Sequence, residues 1–323
     1  MNKLILSVLF FLTISNVMYA QLDPQITQYN SVKSVFNPAA IGLENVVDIN
    51  LLHRSQWVGL EGAPSTQAFS VNSPLEVLGG GIGLTFQNDM AGAMGTSNLM
   101  LAYNYGIRVG NGTLYIGASA GLYQLRLSGG DLITPQGNYE GSSIQHNDNI
   151  LPQGNVSGIA PDFHLGTFYT SRRFFGGISA THISGLDINL HNEFDGQNFS
   201  LSRNYYALAG GNIEINNILI QPSVLFKSDL VKSQADFNLL VNFNGNFWTG
   251  LTYRGYDDSS FDALAVIAGL SLSRNLNLTY SFDYPLSDVA RETIGSHEVG
   301  LNYRINLRAG DGDGKIIYNP RFL

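Results

Sequence analysis

The sequence predicts an all-β fold, a transmembrane antiparallel β-barrel of the outer-membrane type with about fourteen strands. Three observations predict it. Only 13% of the 323 residues are charged, about half the fraction found in soluble proteins. Apolar residues alternate with polar or small ones in one segment after another, which places the two kinds on opposite faces of a strand. Short turns also alternate with long polar links, as they do in outer-membrane barrels.

Composition excludes several other classes of protein. Hydrophobic residues make up 44% of the chain, which is too much for a disordered protein. No segment after the N-terminus approaches the roughly 18 consecutive apolar residues of a membrane-spanning helix. The net charge of −8 argues against nucleic acid, whose binding proteins carry basic surfaces. The absence of Cys excludes disulfides, thiolate metal sites and a lipid-modified N-terminal Cys.

Residues 1–20 are predicted to be a cleaved signal peptide. Lys3 precedes the apolar run Leu4–Ile14, and the segment ends with the small residue Ala20, where signal peptidase would cut. The alternative, a membrane anchor, would need about 20 apolar residues in succession. We therefore expect an exported mature chain that begins near Gln21.

The alternation of strand faces is clear in the segment that contains Leu101, Tyr103 and Ile107, because the intervening Asn104 and Gly106 are polar or small. Many such segments run about 9–13 residues, long enough to cross a bilayer at a tilt. A soluble β-sandwich or propeller also alternates, but the low charge, the strand length and the unequal loops favour the membrane barrel. The predicted strands are 46–55, 66–73, 80–88, 96–108, 113–126, 162–170, 174–183, 200–210, 213–226, 235–243, 247–256, 261–273, 275–284 and 296–308.

The connections alternate between tight hairpin turns, such as Asn111-Gly112, and long polar links, of which 127–161 is the longest. An even number of strands places both termini at the short-turn end, which is periplasmic in outer-membrane barrels, and the long loops outside the cell. The predicted parts of the chain are the signal peptide 1–20, an N-terminal periplasmic or lumenal segment 21–45, a transmembrane barrel 46–308 and a C-terminal periplasmic segment 309–323.

The interior of a fourteen-stranded barrel is wide enough either to need filling or to pass solutes. Segments 21–45 and 309–323 are the parts of the chain that could fill it. The residues expected to face inward are mostly Gly, Ser, Asn, Ala and Thr, without the charged rings typical of ion-selective pores. The charged residues that could point inward are Arg54, Arg126, Arg203, Arg254 and Arg304, with Asp48, Glu214, Asp283 and Glu298 as the few acidic residues within strands.

The sequence motifs that would indicate a catalytic or metal-binding site are weak. The six His residues show no metal-ligand spacing. Ser296, His297 and Glu298 are residue types of a hydrolytic site, but neighbours on a strand point to opposite faces and do not converge. Asp311 and Asp313 resemble the start of a calcium loop without its downstream Glu. We expect no catalytic, cofactor-binding or metal site.

Eight short sequence motifs, which we call blocks, are distributed along nearly the whole mature chain. They are Gln21–Tyr29, Asn37–Ala39, Arg54–Gly59, Gly62–Gln67, Trp248–Arg254, Tyr280–Pro285, Gly295–Val299 and Asn319–Phe322. Together they resemble the PorP/SprF family, outer-membrane proteins of the Bacteroidetes type IX secretion and gliding system. The segments 127–161 and 184–199 match no block, so they would carry what is particular to this chain.

The resemblance implies a non-enzymatic barrel that binds, secretes or retains at the cell surface a protein with a type IX C-terminal signal domain, such as an adhesin. Its partners would be the outer-membrane bilayer, this exported cargo and periplasmic components of the secretion machine, without nucleic acid. The alternative is a channel for small or hydrophobic solutes. The block positions that would contact partners or fix the barrel are Asp23, Pro24, Gln28, Tyr29, Asn37, Pro38, Arg54, Gln56, Trp57, Gly62, Ala63, Pro64, Arg254, Asp283, His297 and Glu298.

Overall fold

The computed structural model describes residues 23–139, 145–148, 151–185, 187–190, 198–255 and 263–307. Most of these residues lie in strands, and all the strand pairs are antiparallel. The strands are β1 (Val46–Ser55), β2 (Ser65–Leu75), β3 (Gly80–Ala91), β4 (Met94–Val109), β5 (Gly112–Ser128), β6 (Asn155–Ser171), β7 (Phe174–Thr181), β8 (Asp187–Asn189), β9 (Asn198–Ser200), β10 (Asn204–Gly211), β11 (Ile213–Ile215), β12 (Ile218–Ser228), β13 (Ser233–Phe243), β14 (Phe247–Arg254), β15 (Ala263–Ser271), β16 (Leu276–Pro285) and β17 (Ser296–Asn306).

Fourteen of these strands close into one barrel. β1 pairs with β17 from Val46↔Asn306 to Ser55↔His297, and β10 pairs with both β7 and β12, so the sheet has no free edge. β11 continues the line of β10 beside β12, while β8 and β9 form a separate hairpin. The predicted barrel and its strand number are confirmed. Closure satisfies the backbone N–H and C=O groups that an open edge would leave unpaired in lipid.

The two ends of the barrel differ in their connections. At the short-turn end, where β1 begins, every link has two to four residues, for example 110–111, 172–173 and 244–246. At the opposite, long-loop end, the links include 129–154 and 182–203, the second of which carries the β8–β9 hairpin. This difference between the ends is the one that the alternation of turns and links predicts.

The two faces of the wall carry different residues. The outward side chains of Leu101, Ile159 and Leu251 are 57%, 62% and 54% exposed, whereas the inward Ala102 and Asn104 are 4% and 0% exposed. An Arg or Lys on the lipid face at the bilayer midplane costs about 2–4 kcal/mol. The low charged fraction of the chain therefore follows from the outward half of each strand.

The strand β6 starts well before its predicted position. β6 begins at Asn155 rather than near 162, so the longest loop covers 129–154 and not 127–161. The extra residues alternate in burial, but the outward Asn155 and Ser157 are polar, so the lipid-facing side gives no apolar signal before Ile159. Local periodicity therefore missed the first part of this strand.

The hairpin between β10 and β12 turns later than predicted. Gly210-Gly211-Asn212 has the residue types of a turn, but the chain continues beyond it as β11. The turn is at Asn216 and Asn217, where Asn216 adopts a φ of 53°, a conformation that Asn tolerates better than most residues. The strands predicted at 200–210 and 213–226 are shifted accordingly.

Helical structure in the described residues is short. α1 (Lys33–Phe36) is a single turn, and a 3₁₀ turn at Pro38–Ala40 follows it. None of the helices found there is long and apolar enough to cross a membrane. The remaining 3₁₀ turns are Glu76–Leu78, Gly129–Asp131 and Asp288–Arg291. The predicted signal peptide 1–20 and C-terminal segment 309–323 lie outside the described residues.

Candidate functional site in the lumen

The N-terminal residues 23–45, which we call the lumenal plug, occupy the interior of the barrel. The plug begins at Asp23 near the long-loop end, beside His182, the residue that follows β7. It continues toward the short-turn end, where the carbonyl of Ile41 accepts a 2.8 Å hydrogen bond from Asn104 Nδ2 on β4. On its way it also contacts β12 through Tyr29. The plug therefore spans the lumen between different parts of the wall.

An apolar core joins the plug to the wall. Tyr29 and Phe36 of the plug are 0% and 6% exposed, and they belong to the same buried cluster as Phe168 and Tyr206 of the barrel. The ring centroids of Phe36 and Tyr206 lie 5.4 Å apart. The hydroxyl of Tyr29 lies 2.9 Å from Ser223 Oγ, so its polar end is also paired.

Glycines of the wall let the plug backbone approach closely. A Cβ added to Gly117 on β5 would lie 2.5 Å from the backbone nitrogen of Ala39. A Cβ on Gly166 of β6 would collide with the side chain of Asn37, which donates from Nδ2 to the carbonyl of Thr167 at 3.0 Å. A strand glycine often marks such a close approach of a second backbone. These positions form part of the seat of the plug.

We expect Gly117→Val to destabilise the seated plug by about 1–3 kcal/mol, because the added side chain overfills a contact between two backbones. The measurement is the free energy of unfolding in urea of the detergent-solubilised barrel. Ala118→Val is the matched control, because the neighbouring residue points outward and is exposed. Its effect is expected to stay within about 0.5 kcal/mol. Equal losses in the two variants would contradict the close contact.

Five charged residues of the wall form a buried cluster beside the plug. Arg54 Nη2 and Nη1 lie 2.9 Å from Asp283 Oδ2 and 3.2 Å from Glu298 Oε2. Arg254 donates from Nε to both carboxylate oxygens of Asp236 at 3.1 Å and from Nη1 to Asp283 at 2.9 Å. All five side chains are at most 3% exposed. Such charges are tolerated inside a protein only when they are paired and hydrogen-bonded.

The plug docks on this cluster mainly through neutral groups. Glu298 accepts hydrogen bonds from the backbone N–H groups of Thr27 at 2.9 Å and Gln28 at 2.8 Å. The hydroxyl of Thr27 donates to Asp283 Oδ2 at 2.6 Å and accepts from Arg254 Nη2 at 2.9 Å. The wall cluster therefore recognises the backbone direction of the plug, because it pairs with two successive amides.

Sequence blocks that are far apart in the chain meet at this docking point. Thr27 and Glu298, for example, are 271 residues apart and share a hydrogen bond. Arg254 and Asp283, two of the charged residues that could point inward, form an ion pair of 2.9 Å. The block residues that face the lumen or belong to the plug are Asp23, Pro24, Gln28, Tyr29, Asn37, Pro38, Arg54, Arg254, Asp283 and Glu298.

The loop between β1 and β2 carries the next block residues and lies beside the cluster. Gln56 is buried, and its backbone N–H donates to the carbonyl of Pro64 at 2.8 Å. Gly62, before Ala63, has a φ of 70°, which favours glycine. The backbone N–H of Trp57 donates to Ser296 Oγ at 3.1 Å. The Trp57–Ser296 hydrogen bond ties the loop to β17.

His297 lies on the outer face of the barrel, apart from the block residues that face the lumen. Its Nδ1 lies 2.6 Å from the hydroxyl of Tyr280 on the outer face of the barrel. Ser296 and Glu298 are 2% and 0% exposed and face the lumen. The three neighbours therefore do not come together as a hydrolytic triad.

Several lumenal residues were not singled out from the sequence. Asp236 is the main partner of Arg254, and Asp162, His164 and His182 form a second buried group. Asp162 and His164 are two residues apart on one strand, so they share a face. The spacing of Asp162 and His164 could therefore have indicated that they lie together. No such spacing points to His182, because it follows a different strand, β7.

A polar cavity of about 450 Å³ lies between the plug and the short-turn end of the barrel. Its lining includes Lys33, Asp48 and Trp248 together with many Asn side chains. Desolvation lowers the pKa of Lys33 to about 8, and the carboxylate of Asp48 opposes this shift. The Nζ atom of Lys33 lies 4.5 Å from the ring centroid of Phe175, a cation–π contact between α1 and β7.

The family described as "Type IX secretion system membrane protein PorP/SprF" matches residues 18–303. No curated protein sequence matches the chain.

Among solved structures, the outer-membrane protein Omp33 of Acinetobacter baumannii has a TM-score of 0.45 at 9% identity, over 82% of this chain and 100% of that one. The CymD monoaromatic hydrocarbon channel has a TM-score of 0.44 at 12% identity, over 81% and 87%. The KdgM porin has a TM-score of 0.37 at 9% identity, over 80% and 98%.

Proposed function

Because the chain belongs to the family of type IX secretion system membrane proteins PorP/SprF, we propose that it is a non-enzymatic outer-membrane barrel that binds an exported type IX cargo protein at its long-loop end. The cargo would carry a type IX C-terminal signal domain, and an adhesin of the gliding system is the kind we favour. Binding would serve the secretion of this cargo or its retention at the cell surface.

The filled lumen is the observation that carries this proposal. The plug is held by an apolar core and by paired buried charges, such as Arg54 with Glu298. A barrel closed in this way is unsuited to pass a folded or unfolded protein through its own lumen. The parts left to act on a partner are therefore its two ends.

At the long-loop end, the described residues of loop 129–154 are held by internal hydrogen bonds. In loop 129–154 the buried His146 lies 3.1 Å from the hydroxyl of Tyr139 and, through Nε2, 3.1 Å from the carbonyl of Pro152. The hydroxyl of Thr134 donates to the carbonyl of His146 at 2.6 Å. Residues that are held in place before binding lose less conformational entropy when a partner docks.

Apolar side chains at the same end are exposed. Ile133, Leu230 and Ile294 are 81%, 78% and 67% exposed, and they come from three different connections. A docked partner could bury these side chains in the apolar centre of an interface. We infer that this end faces outward to the cargo, and that the short-turn end faces periplasmic components of the secretion machine.

Replacement of loop 129–154 by an Asn-Gly turn tests the proposal. The register Ser128↔Asn155 allows a two-residue hairpin without shifting β5 against β6. In pull-downs from the native envelope, we expect the wild-type protein to enrich a protein with a type IX signal domain and the loop variant to lose most of it. Assembly of the barrel is monitored through its heat-dependent mobility in gels.

Val77→Ser is the matched control, because Val77 is 93% exposed at the short-turn end. This variant should retain the cargo at the wild-type level. Undiminished cargo in the loop variant would contradict recognition by this loop. Failure of the wild-type protein to enrich any type IX cargo or machine component would contradict the proposed function itself.

The second candidate function is a channel for small or hydrophobic solutes. The polar cavity near the short-turn end favours it, because a transport path would need such a vestibule. The plug separates this cavity from the long-loop end, and conductance of the barrel therefore distinguishes the two candidates.

A further inference from the structure

A compact group of metal-ligating side chains lies on the lumenal side of the wall where the plug begins. Asp162 and His164 are on β6, and His182 directly follows β7. They are 0%, 6% and 2% exposed. Their ligand atoms all lie within 4.8 Å of one another, which makes this a candidate metal-binding group among the described residues.

The two imidazoles converge on a single carboxylate oxygen. His164 Nε2 lies 3.0 Å and His182 Nδ1 lies 2.7 Å from Asp162 Oδ2. In a tetrahedral zinc site with metal–ligand bonds of about 2.0–2.1 Å, neighbouring ligand atoms are about 3.3 Å apart. The side chains therefore need to move only slightly to coordinate an ion.

The other nitrogen of His182 is also held by a carboxylate. Its Nε2 lies 3.0 Å from Asp23 Oδ1, and Asp23 Oδ2 in turn accepts a hydrogen bond from the hydroxyl of Tyr206. A carboxylate on the far nitrogen of a ligating His is the usual outer-shell partner, which fixes the ring and raises its basicity. The plug itself supplies this partner.

A buried amide oxygen without a partner lies next to the group. Asn98 Nδ2 is 3.4 Å from Asp162 Oδ2, while Asn98 Oδ1 is buried and has no hydrogen-bond partner. Rotation of this amide would exchange the two ends and direct the oxygen toward Asp162 Oδ2, the atom on which both imidazoles converge. Two His nitrogens, one carboxylate and one amide oxygen make a four-ligand N/O set, which suits a divalent first-row transition ion.

We propose that Asp162, His164 and His182, with Asn98 as the fourth ligand, form a site for a divalent transition-metal ion such as Zn²⁺. The ion joins β6 to the end of β7 and, through Asp23, to the start of the plug. In a chain without Cys, it serves as a staple that holds the plug in the barrel. This inference concerns the seating of the plug and is independent of the proposed cargo.

The test is a titration of the tag-free, full-length mature protein in detergent with ZnCl₂ after removal of bound metal by EDTA. Calorimetry is expected to show one equivalent bound and an increase in the thermal unfolding temperature. His164→Ala and His182→Ala should weaken binding by more than about 100-fold, since each removes a ligand from the four-ligand set. Asp23→Asn should weaken it by about 10–100-fold, as loss of an outer-shell partner does.

His53→Ala is the matched control, because His53 lies on the exposed outer face of β1 and should leave binding unchanged. If His182→Ala does not fold, Asp162→Asn and His164→Ala still test the site. Binding of Co²⁺ with a tetrahedral visible spectrum would support the ligand set. The proposed site would be overturned if the protein binds no stoichiometric zinc, or if the control and the ligand variants bind zinc equally. Either result would show that these residues form only a hydrogen-bonded His–Asp cluster.

Discussion

Arg54→Ala is expected to lower the free energy of unfolding by about 3–5 kcal/mol, because removing one partner of a buried ion pair leaves the other charge uncompensated. Arg54 bridges Asp283 and Glu298 at 2.9 and 3.2 Å. Without it, Glu298 keeps only the neutral amides of the plug, and Asp283 keeps Arg254 alone as a cationic partner. The measurement is urea unfolding of the detergent-solubilised protein, followed by tryptophan fluorescence.

Arg172→Ala is the matched control, because it removes an ion pair that is exposed rather than buried. Arg172 and Glu214 are also 2.9 Å apart, but their side chains are 83% and 54% exposed. An exposed pair of this kind is worth no more than about 1 kcal/mol. Arg54→Lys keeps the charge without the planar fork of guanidinium, so its loss should fall between the two. A loss from Arg54→Ala as small as that of Arg172→Ala would contradict the role of burial.

Replacement of residues 25–43 by a Gly/Ser linker of equal length is expected to convert a silent barrel into a steadily conducting one in planar bilayers. The wall should still close, because the pairs of Arg54 with Asp283 and Arg254 with Asp236 are formed by strand residues. Water can solvate the carboxylate of Glu298 once the plug amides are gone. A flexible linker has no apolar residues to repeat the packing of Tyr29 and Phe36.

The loop variant that replaces 129–154 is the control for conductance, because it leaves the plug in place and should stay closed. Steady conductance of the wild-type barrel, equal to that of the linker variant, would favour the channel over the cargo-binding function. Conductance limited to the linker variant would support a lumen closed by the plug.

The faces of the strands were predictable from the sequence because their signal is local. Leu101 and Ala102 are neighbours that lie on opposite sides of the wall, and their alternation is visible within a few residues. The same rule failed at the start of β6, where the outward Asn155 and Ser157 are polar and do not mark a lipid-facing side. It also failed at Gly210-Gly211-Asn212, where turn-forming residues lie inside a continuous line of strand.

The lumenal cluster was only partly predictable. Arg54 and Asp283 are 229 residues apart, and no local pattern specifies that they meet. The resemblance marked both as block residues, but it did not single out Asp236, Asp162 or His182. These residues lie together because the barrel closes, and closure is a property of the whole strand order. The wall and some of its charges were therefore predictable from the sequence, whereas the contacts of the plug were not.

The contact between the plug and β17 also constrains how the protein folds. Thr27, near the start of the described chain, hydrogen-bonds to Glu298 across 271 residues, and β1 pairs with β17 to complete the barrel. Loop-closure entropy must be lost before such distant contacts form, so folding dominated by them is slow. The N-terminal segment therefore lacks these contacts until β17 is in place. Sealing of the β1–β17 seam and capture of the N-terminal segment are consequently expected to occur in one late kinetic step.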